Sequence, residues 1–234
     1  GHTLGASGVV EAILCVEQMK QGSIFGTAGF ISSDVPHSLQ LSAAKQPIEK
    51  RCCVKTASGF GGCNAAIVLD AENRETPANP SPRKAIEVAS YDLPQAEEPF
   101  AEYIRAEFKS FGESNMKFYK MSDMCKALYV AVERLLAKAN LDDTVSERRA
   151  IILANRASSL DADIVHQQVL NQHNPEGASP AAFVYTLANV AAGEMCIRHK
   201  IQGENTFFIE HSNSGLVEQY AKELIERDCA DAVI

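Results

Sequence analysis

The sequence predicts a mixed α/β protein, and three observations carry that expectation. A helical pattern over residues 122–139 precedes the apolar run 149–154, the order expected of a βαβ unit. Two β-like runs, 50–56 and 65–70, flank the glycine-dense turn Ser58-Gly59-Phe60-Gly61-Gly62-Cys63-Asn64 and read as a hairpin. Finally, Ser7-Gly8-Val9-Val10-Glu11 and Ser214-Gly215-Leu216-Val217-Glu218 share one pattern, each opening an amphipathic helix after a histidine-containing turn, as pseudo-repeat halves would.

In chain order, Gly1-His2-Thr3-Leu4-Gly5-Ala6-Ser7-Gly8 is a turn of small residues that opens the first helix. Val9, Ile13, Val16 and Met19 fall on one face of that helix. A helix start of this kind presents backbone donors and positive dipole to an anion or acyl oxygen. Taken alone, His2 also has the reading of a loop histidine, the commoner one for a histidine beside glycines. Gln21-Gly22-Ser23 ends the helix, and 24–37 reads as a short strand and a long loop. Phe60 lies at the hairpin tip, where its other reading is an aromatic packed on the core. Residues 71–84 hold three prolines and almost no apolar side chains, a linker that denies both helix and central strand.

Beyond the linker, 85–90 reads as a strand and 99–111 as a short helix with Ile104 and Phe108 on one side. Ser122 and Asp123 can cap the next helix, whose apolar positions Cys125, Leu128, Val132, Leu135 and Leu136 keep a 3.6-residue period. The turn 174–180 delivers a helix over 181–197. Residues 202–209 form a strand, 212–216 turn into the last helix, and 231–234 begin another strand.

Composition narrows the function. With 234 residues, 46% of them hydrophobic, the chain can bury a core as one large or two smaller domains. A formal net charge of -8 and a pI near 5.3 argue against a nucleic-acid partner. No apolar run approaches the roughly 20 residues of a membrane helix and no signal-peptide pattern opens the sequence, so a cytoplasmic protein without membrane attachment is expected. Seven cysteines without a scaffold spacing fit a reducing compartment. No Cys-x-x-Cys or His-x-x-x-His spacing supports a metal, and nothing calls for a cofactor.

The two glycine turns together resemble the closing motifs of β-ketoacyl synthases, the 3-oxoacyl-[acyl-carrier-protein] synthases of the thiolase-like superfamily. In that family a Gly-His-x-x-Gly-Ala-x-Gly turn carries a catalytic histidine, the position of His2, and a Gly-Phe-Gly-Gly-x-Asn loop lies beside it, the position of Gly59, Phe60 and Gly61. Ser179-Pro180-x-x-Phe183 with Leu187-Ala188-Asn189-Val190-Ala191-Ala192-Gly193 is similar to the substrate-side helix before the family's nucleophile. The resemblance implies a thiolase-like fold, layered mixed sheets with buried helices, built of two halves whose helix starts meet at the active site. Here it is incomplete or rearranged: 1–70 matches a C-terminal segment and 85–234 an N-terminal half. The chain then reads as a segment bridging the tail of one synthase and the head of another, or as a truncated or rearranged homologue.

The resemblance also implies acyl carrier protein and acyl or malonyl thioesters as partners, and a homodimer or a heterodimer with a ketosynthase. Overlaying Gly203-Glu204-Asn205 and Ser214-Gly215-Leu216 on the family pattern puts Ser212 where the family has its nucleophilic cysteine. A serine there needs a base, His2 or His211, to become a nucleophile, whereas a cysteine thiolate is accessible near neutral pH. Ser212 reads also as a helix cap. Backbone N–H groups of Ser212 and Phe60 are the implied oxyanion hole. The family's lysine and its first catalytic histidine have no match, and His37, His166, His173 and His199 read as surface or packing residues. Two functions from different classes follow: a ketosynthase-type acyltransferase with a degenerate site, or a non-catalytic partner resembling chain-length factors. A third reading, an unrelated anion-binding α/β module, leaves the Ser-Pro-x-x-Phe segment unexplained.

Overall fold

The computed structural model describes all residues except 1, 38, 50, 61, 73–82, 96, 113, 140, 142–144, 174–177 and 211–213. Its contacts divide the chain into two compact units, Gly1–Gly59 with Asn64–Pro77, and Phe60–Cys63 with Ala78–Ile234. Much of the expected linker, with the turn at 174–177, lies outside the described residues.

The first unit starts with a 3-10 turn, Leu4–Ala6, that runs into α1, Ser7–Lys20. Two short strands, β1 (Ser23–Ile24) and β2 (Gln46–Pro47), pair antiparallel, and β3 (Cys52–Ser58) and β4 (Asn64–Asp70) form the expected hairpin, with Ser58 opposite Asn64. The face of α1 that meets β3 is not the one its apolar pattern suggests. A Cβ on Gly8 would lie 3.7 Å from the Ala57 Cβ, and Glu11 pairs with Lys55 at 2.7 Å. Helix positions 8, 11 and 15 share a face, as do strand positions 57, 55 and 53. Val9 and Ile13 are therefore left 63% and 57% exposed, and no residue of α1 is buried. A small residue and an ion pair determine the seating here, and bulk hydrophobicity does not.

In the second unit the segment expected as a strand at 85–90 is extended chain without a ladder partner, and Ile86 and Val88 remain exposed. An apolar alternation becomes a strand only where a neighbour accepts its hydrogen bonds. Then follow α2 (Phe100–Ser110), α3 (Asp123–Lys138), β5 (Arg149–Asn155), α4 (Leu160–His173), α5 (Pro180–Val184), α6 (Val190–His199), β6 (Asn205–Ile209), α7 (Leu216–Glu226) and β7 (Ala232–Val233). Ser122 caps α3 as expected, its Oγ accepting the Cys125 N–H at 3.3 Å. The strands form one parallel sheet in the order β6-β5-β7, so among the described residues the widest sheet has three strands.

Helices cover both faces of this sheet. Ile151 of β5 joins Ile104, Phe108, Phe118, Tyr129 and Met195 in the main core, whereas Ala150 and Ile152 point the other way and pack with Leu224 and Ala230. The rings of Phe108 and Phe118 stack with centroids 4.0 Å apart, and Tyr129 meets both edge-on. At Gly203 a Cβ would fall 2.4 Å from the Arg149 carbonyl oxygen, so only glycine lets the chain enter β6 this close to β5.

The helix expected over 181–197 is interrupted. Tyr185, Thr186 and Leu187 donate N–H bonds three residues back, and the Thr186 hydroxyl donates to the Phe183 carbonyl at 2.7 Å, which tightens the chain into turns before α6 begins. Helix α4 is an element the sequence pattern did not announce, since Ile164 and Val165 stay exposed.

Glu133 on α3 links that helix to α6. Its Oε1 accepts from Arg198 Nε at 2.5 Å and pairs with His199 Nε2 at 2.7 Å, and the Arg198 guanidinium lies 4.8 Å from the Tyr129 ring centre. Burial works to raise the Glu133 carboxyl, but the two hydrogen bonds and their charges outweigh it and hold its pKa at about 2, below the ordinary 4.5. A folded-state value below the unfolded one contributes stability that is present above pH 4.5 and is lost as pH falls towards 2. Urea midpoints measured through that window should therefore fall for the wild type and converge on those of Glu133→Gln; parallel profiles would contradict the pairing.

Candidate functional site

The His2 turn is organised by one hydroxyl. Ser7 Oγ accepts the Thr3 backbone N–H at 2.9 Å and the Thr3 hydroxyl at 3.2 Å, and lies 3.2 Å from His2 Nδ1. A serine hydroxyl has one proton and two lone pairs. Through these contacts one hydroxyl ties the His2 ring to the Thr3 backbone. In the tautomer with its proton on Nε2, a ring so held can donate to a developing oxyanion. The same hydroxyl also ties the turn to the first residue of α1.

Behind this helix start sits a charge pair. Lys55 is buried to 8% exposure in the middle of β3, and its Nζ reaches Glu11 Oε2 at 2.7 Å. Its hydrogen bond and charge hold the exposed Glu11 carboxyl below the usual carboxylate range. This cation was not singled out from sequence, because Lys-Thr in a β-like run looks like an ordinary solvent-facing pair.

The turn Phe60–Cys63 belongs to the second unit, and its anchor is Asn189. Asn189 occupies the N-cap position of α6 but makes no side-chain cap. Instead its Nδ2 donates to the Phe60 carbonyl oxygen and, at 3.4 Å, to Cys63 Sγ. Two glycine- and alanine-rich motifs separated by well over a hundred residues are joined by one amide. Phe60 is 65% exposed, which rules out its reading as a core aromatic.

His2 and Gly59 lie in the first unit and Phe60 in the second, while Ser212, His211 and Gly61 fall outside the described residues. The structure thus supplies local geometry for His2 and Phe60. The echo between the two helix starts is only partial. Ser7 is the first residue of α1, whereas Ser214 precedes α7 by two residues, its hydroxyl accepting the Leu216 N–H at 3.0 Å and donating to Glu210. Gly215, with φ of 71°, supplies the left-handed bend before α7.

Two cysteines of the second unit are held in the thiol form by their surroundings. Burial pushes the Cys125 thiol up to about 12, with Glu194 adding to it. Burial and the neighbouring Cys63 push Cys196 up to about 11, against the Asn205 amide that donates to its sulfur at 3.2 Å. Both stay protonated near neutral pH and are inert as nucleophiles. Among the described residues no group of three or more His, Cys, Asp or Glu is arranged to hold a metal ion, and no helix is long and apolar enough to cross a membrane.

No family model matches the chain. Over 77 residues, 30% of its length, it is 35% identical to a highly reducing polyketide synthase of Leptosphaeria maculans, 34% to one of Alternaria alternata and 32% to one of Preussia isomera. The match spans 3% of the length of each of these relatives. The chain is a mixed α/β protein with a stretch similar to part of polyketide synthases. Among solved structures, the ishigamide ketosynthase/chain length factor overlays on 47% of this chain and 32% of its own, at 26% identity and a TM-score of 0.42.

Asn189 gives the geometry a direct check. Asn189→Ala removes both bonds to the glycine turn and should cost about 1 kcal/mol of stability, read as a lowered urea midpoint, together with faster amide exchange at Gly62 and Cys63. Unchanged exchange at these two amides would show that the turn is held by something else.

Proposed function

We propose that the chain is a β-ketoacyl-synthase-like protein of polyketide or fatty-acid synthesis, with thiolase-like ancestry and a degenerate catalytic site. The similarity of one stretch to highly reducing polyketide synthases carries this reading. The Gly-His and Gly-Phe-Gly-Gly turns support it, and so does the hydrogen-bonded ring of His2. In this reading 1–70 is a C-terminal-type ketosynthase segment, 85–234 an N-terminal-type half, and the layered architecture of the thiolase-like fold is incomplete.

Its partners are acyl carrier protein and acyl or malonyl thioesters, in a homodimer or in a heterodimer with a ketosynthase. When a malonyl thioester loses carbon dioxide, the electrons of the broken C–C bond move onto the thioester oxygen as an enolate. His2 Nε2–H is the donor for that oxygen, and the backbone N–H groups of Phe60 and Ser212 serve the tetrahedral oxyanion of acyl transfer. Ser212 takes the place of the nucleophilic cysteine, and its hydroxyl needs a base to attack a thioester.

That substitution favours a second reading, in which the chain resembles a chain-length factor: it shapes an acyl tunnel beside an active ketosynthase and performs no transfer itself. Incubation with malonyl and acyl thioesters of a carrier protein separates the two. The first reading predicts carbon dioxide release that falls ~100-fold or more in His2→Ala, with an acyl mass on Ser212. No release and no adduct, with stable co-purification alongside a cysteine-bearing ketosynthase, would overturn it in favour of the second.

A further inference from the structure

The seating of α1 on β3 brings together two thiols that the proposed chemistry does not use. Three steps along the helix meet three alternate positions of the strand: Gly8 faces Ala57 and Glu11 reaches Lys55, and the same register sets Cys15 beside Cys53, whose thiol it perturbs. Both cysteines are part-buried and reduced. Cys52 is exposed and next in sequence to Cys53, but successive residues of a strand point to opposite faces, so the strand holds these two thiols apart. The helix thus selects Cys15 as the partner of Cys53.

We propose that Cys15 and Cys53 form an oxidisable dithiol, a modification site at which a peroxide or a small-molecule disulfide covalently joins α1 to β3. With a peroxide, the thiolate of one cysteine attacks an oxygen, the O–O bond breaks and hydroxide leaves, giving a sulfenic acid. The second thiolate attacks that sulfur and displaces its hydroxyl, which leaves as water. The balance is two thiols and one hydrogen peroxide giving one disulfide and two waters. With a small disulfide, two exchanges return its two thiols. Burial, reinforced by Cys15, raises the Cys53 pKa. Cys15 lies two helical turns beyond Ser7, which holds His2, so the bond fastens the helix that carries the histidine turn. The proposal stands independently of the ketosynthase reading.

The test is hydrogen peroxide treatment of the full chain, alkylation of the remaining thiols, digestion without reduction, and mass spectrometry. The expected product is a peptide pair linked through Cys15 and Cys53, lighter by about 2 Da than the two reduced peptides together, the two hydrogens removed on oxidation. Dithiothreitol should reverse it. Cys15→Ser and Cys53→Ser should each lose the linked species, whereas Cys52→Ser should keep it. Linkage through Cys52, a Cys63–Cys196 link as the sole product, or oxidation confined to exposed Cys52 and Cys229 would each overturn the proposal. The wild-type digest decides by itself if a variant fails to fold.

Discussion

The second unit depends on β5 being buried on both faces. Its amides are shared between two neighbours, Ile151 N–H bonding to the Glu204 carbonyl on one side and Ile152 N–H to the Ile234 carbonyl on the other, both at 2.9 Å. Its side chains alternate in the same way, Ile151 entering the core of α2, α3 and α6, and Ile152 the smaller core under α7. A strand with both ladders and both faces engaged cannot shift by one residue without exchanging the two cores. Everything that enters the sheet later in sequence takes its position from it.

The elements beside β5 are tuned to that constraint. The strand ends in an Asn155 turn, whose Oδ1 accepts the Ser158 N–H at 2.7 Å, and Asp161 just beyond it accepts the Met124 N–H at 3.0 Å, tying the loop to the first turn of α3. On the other side Arg148 and Arg83 both bind Asp228 and Asp231, fixing the chain as it enters β7. Both carboxyls are held below their usual range, Asp231 at about 2, chiefly by these guanidinium hydrogen bonds. Helix α6, packed against the same strand, then presents Asn189 to the Phe60 turn. The first unit follows a different rule, since there a glycine and a lysine–glutamate pair seat a helix whose larger apolar residues stay outside.

How much of this was legible in the sequence depends on whether the cause is local. Helix α3 was readable because Ser122 caps it and its apolar positions keep helical spacing, and the hairpin because a glycine turn separates two β-like runs. The break before α6 was not, since it lies in turns of the backbone and in an amide whose partner, Phe60, is remote in sequence. The apolar stripe at Val9 and Ile13 misled because a periodic pattern says which residues share a face and not which face is covered. For the site, His2 and Phe60 stood out through their glycine neighbours. Asn189 was visible only as part of a motif, and Lys55 and the Cys15–Cys53 pair needed the register of helix on strand.

The proposed function attaches to this framework at its turns. Ser7 holds the His2 turn, and Asn189 holds the backbone of the Phe60 turn. Strand β5 is the fixed element of the second unit, and site-resolved native-state hydrogen exchange tests that most directly. The amides of Ile151, Ile152 and Leu153 should exchange only through global unfolding, as the slowest in the chain, with those of β4 opening locally and faster. Exchange of the β5 amides at the rate of the hairpin would contradict it.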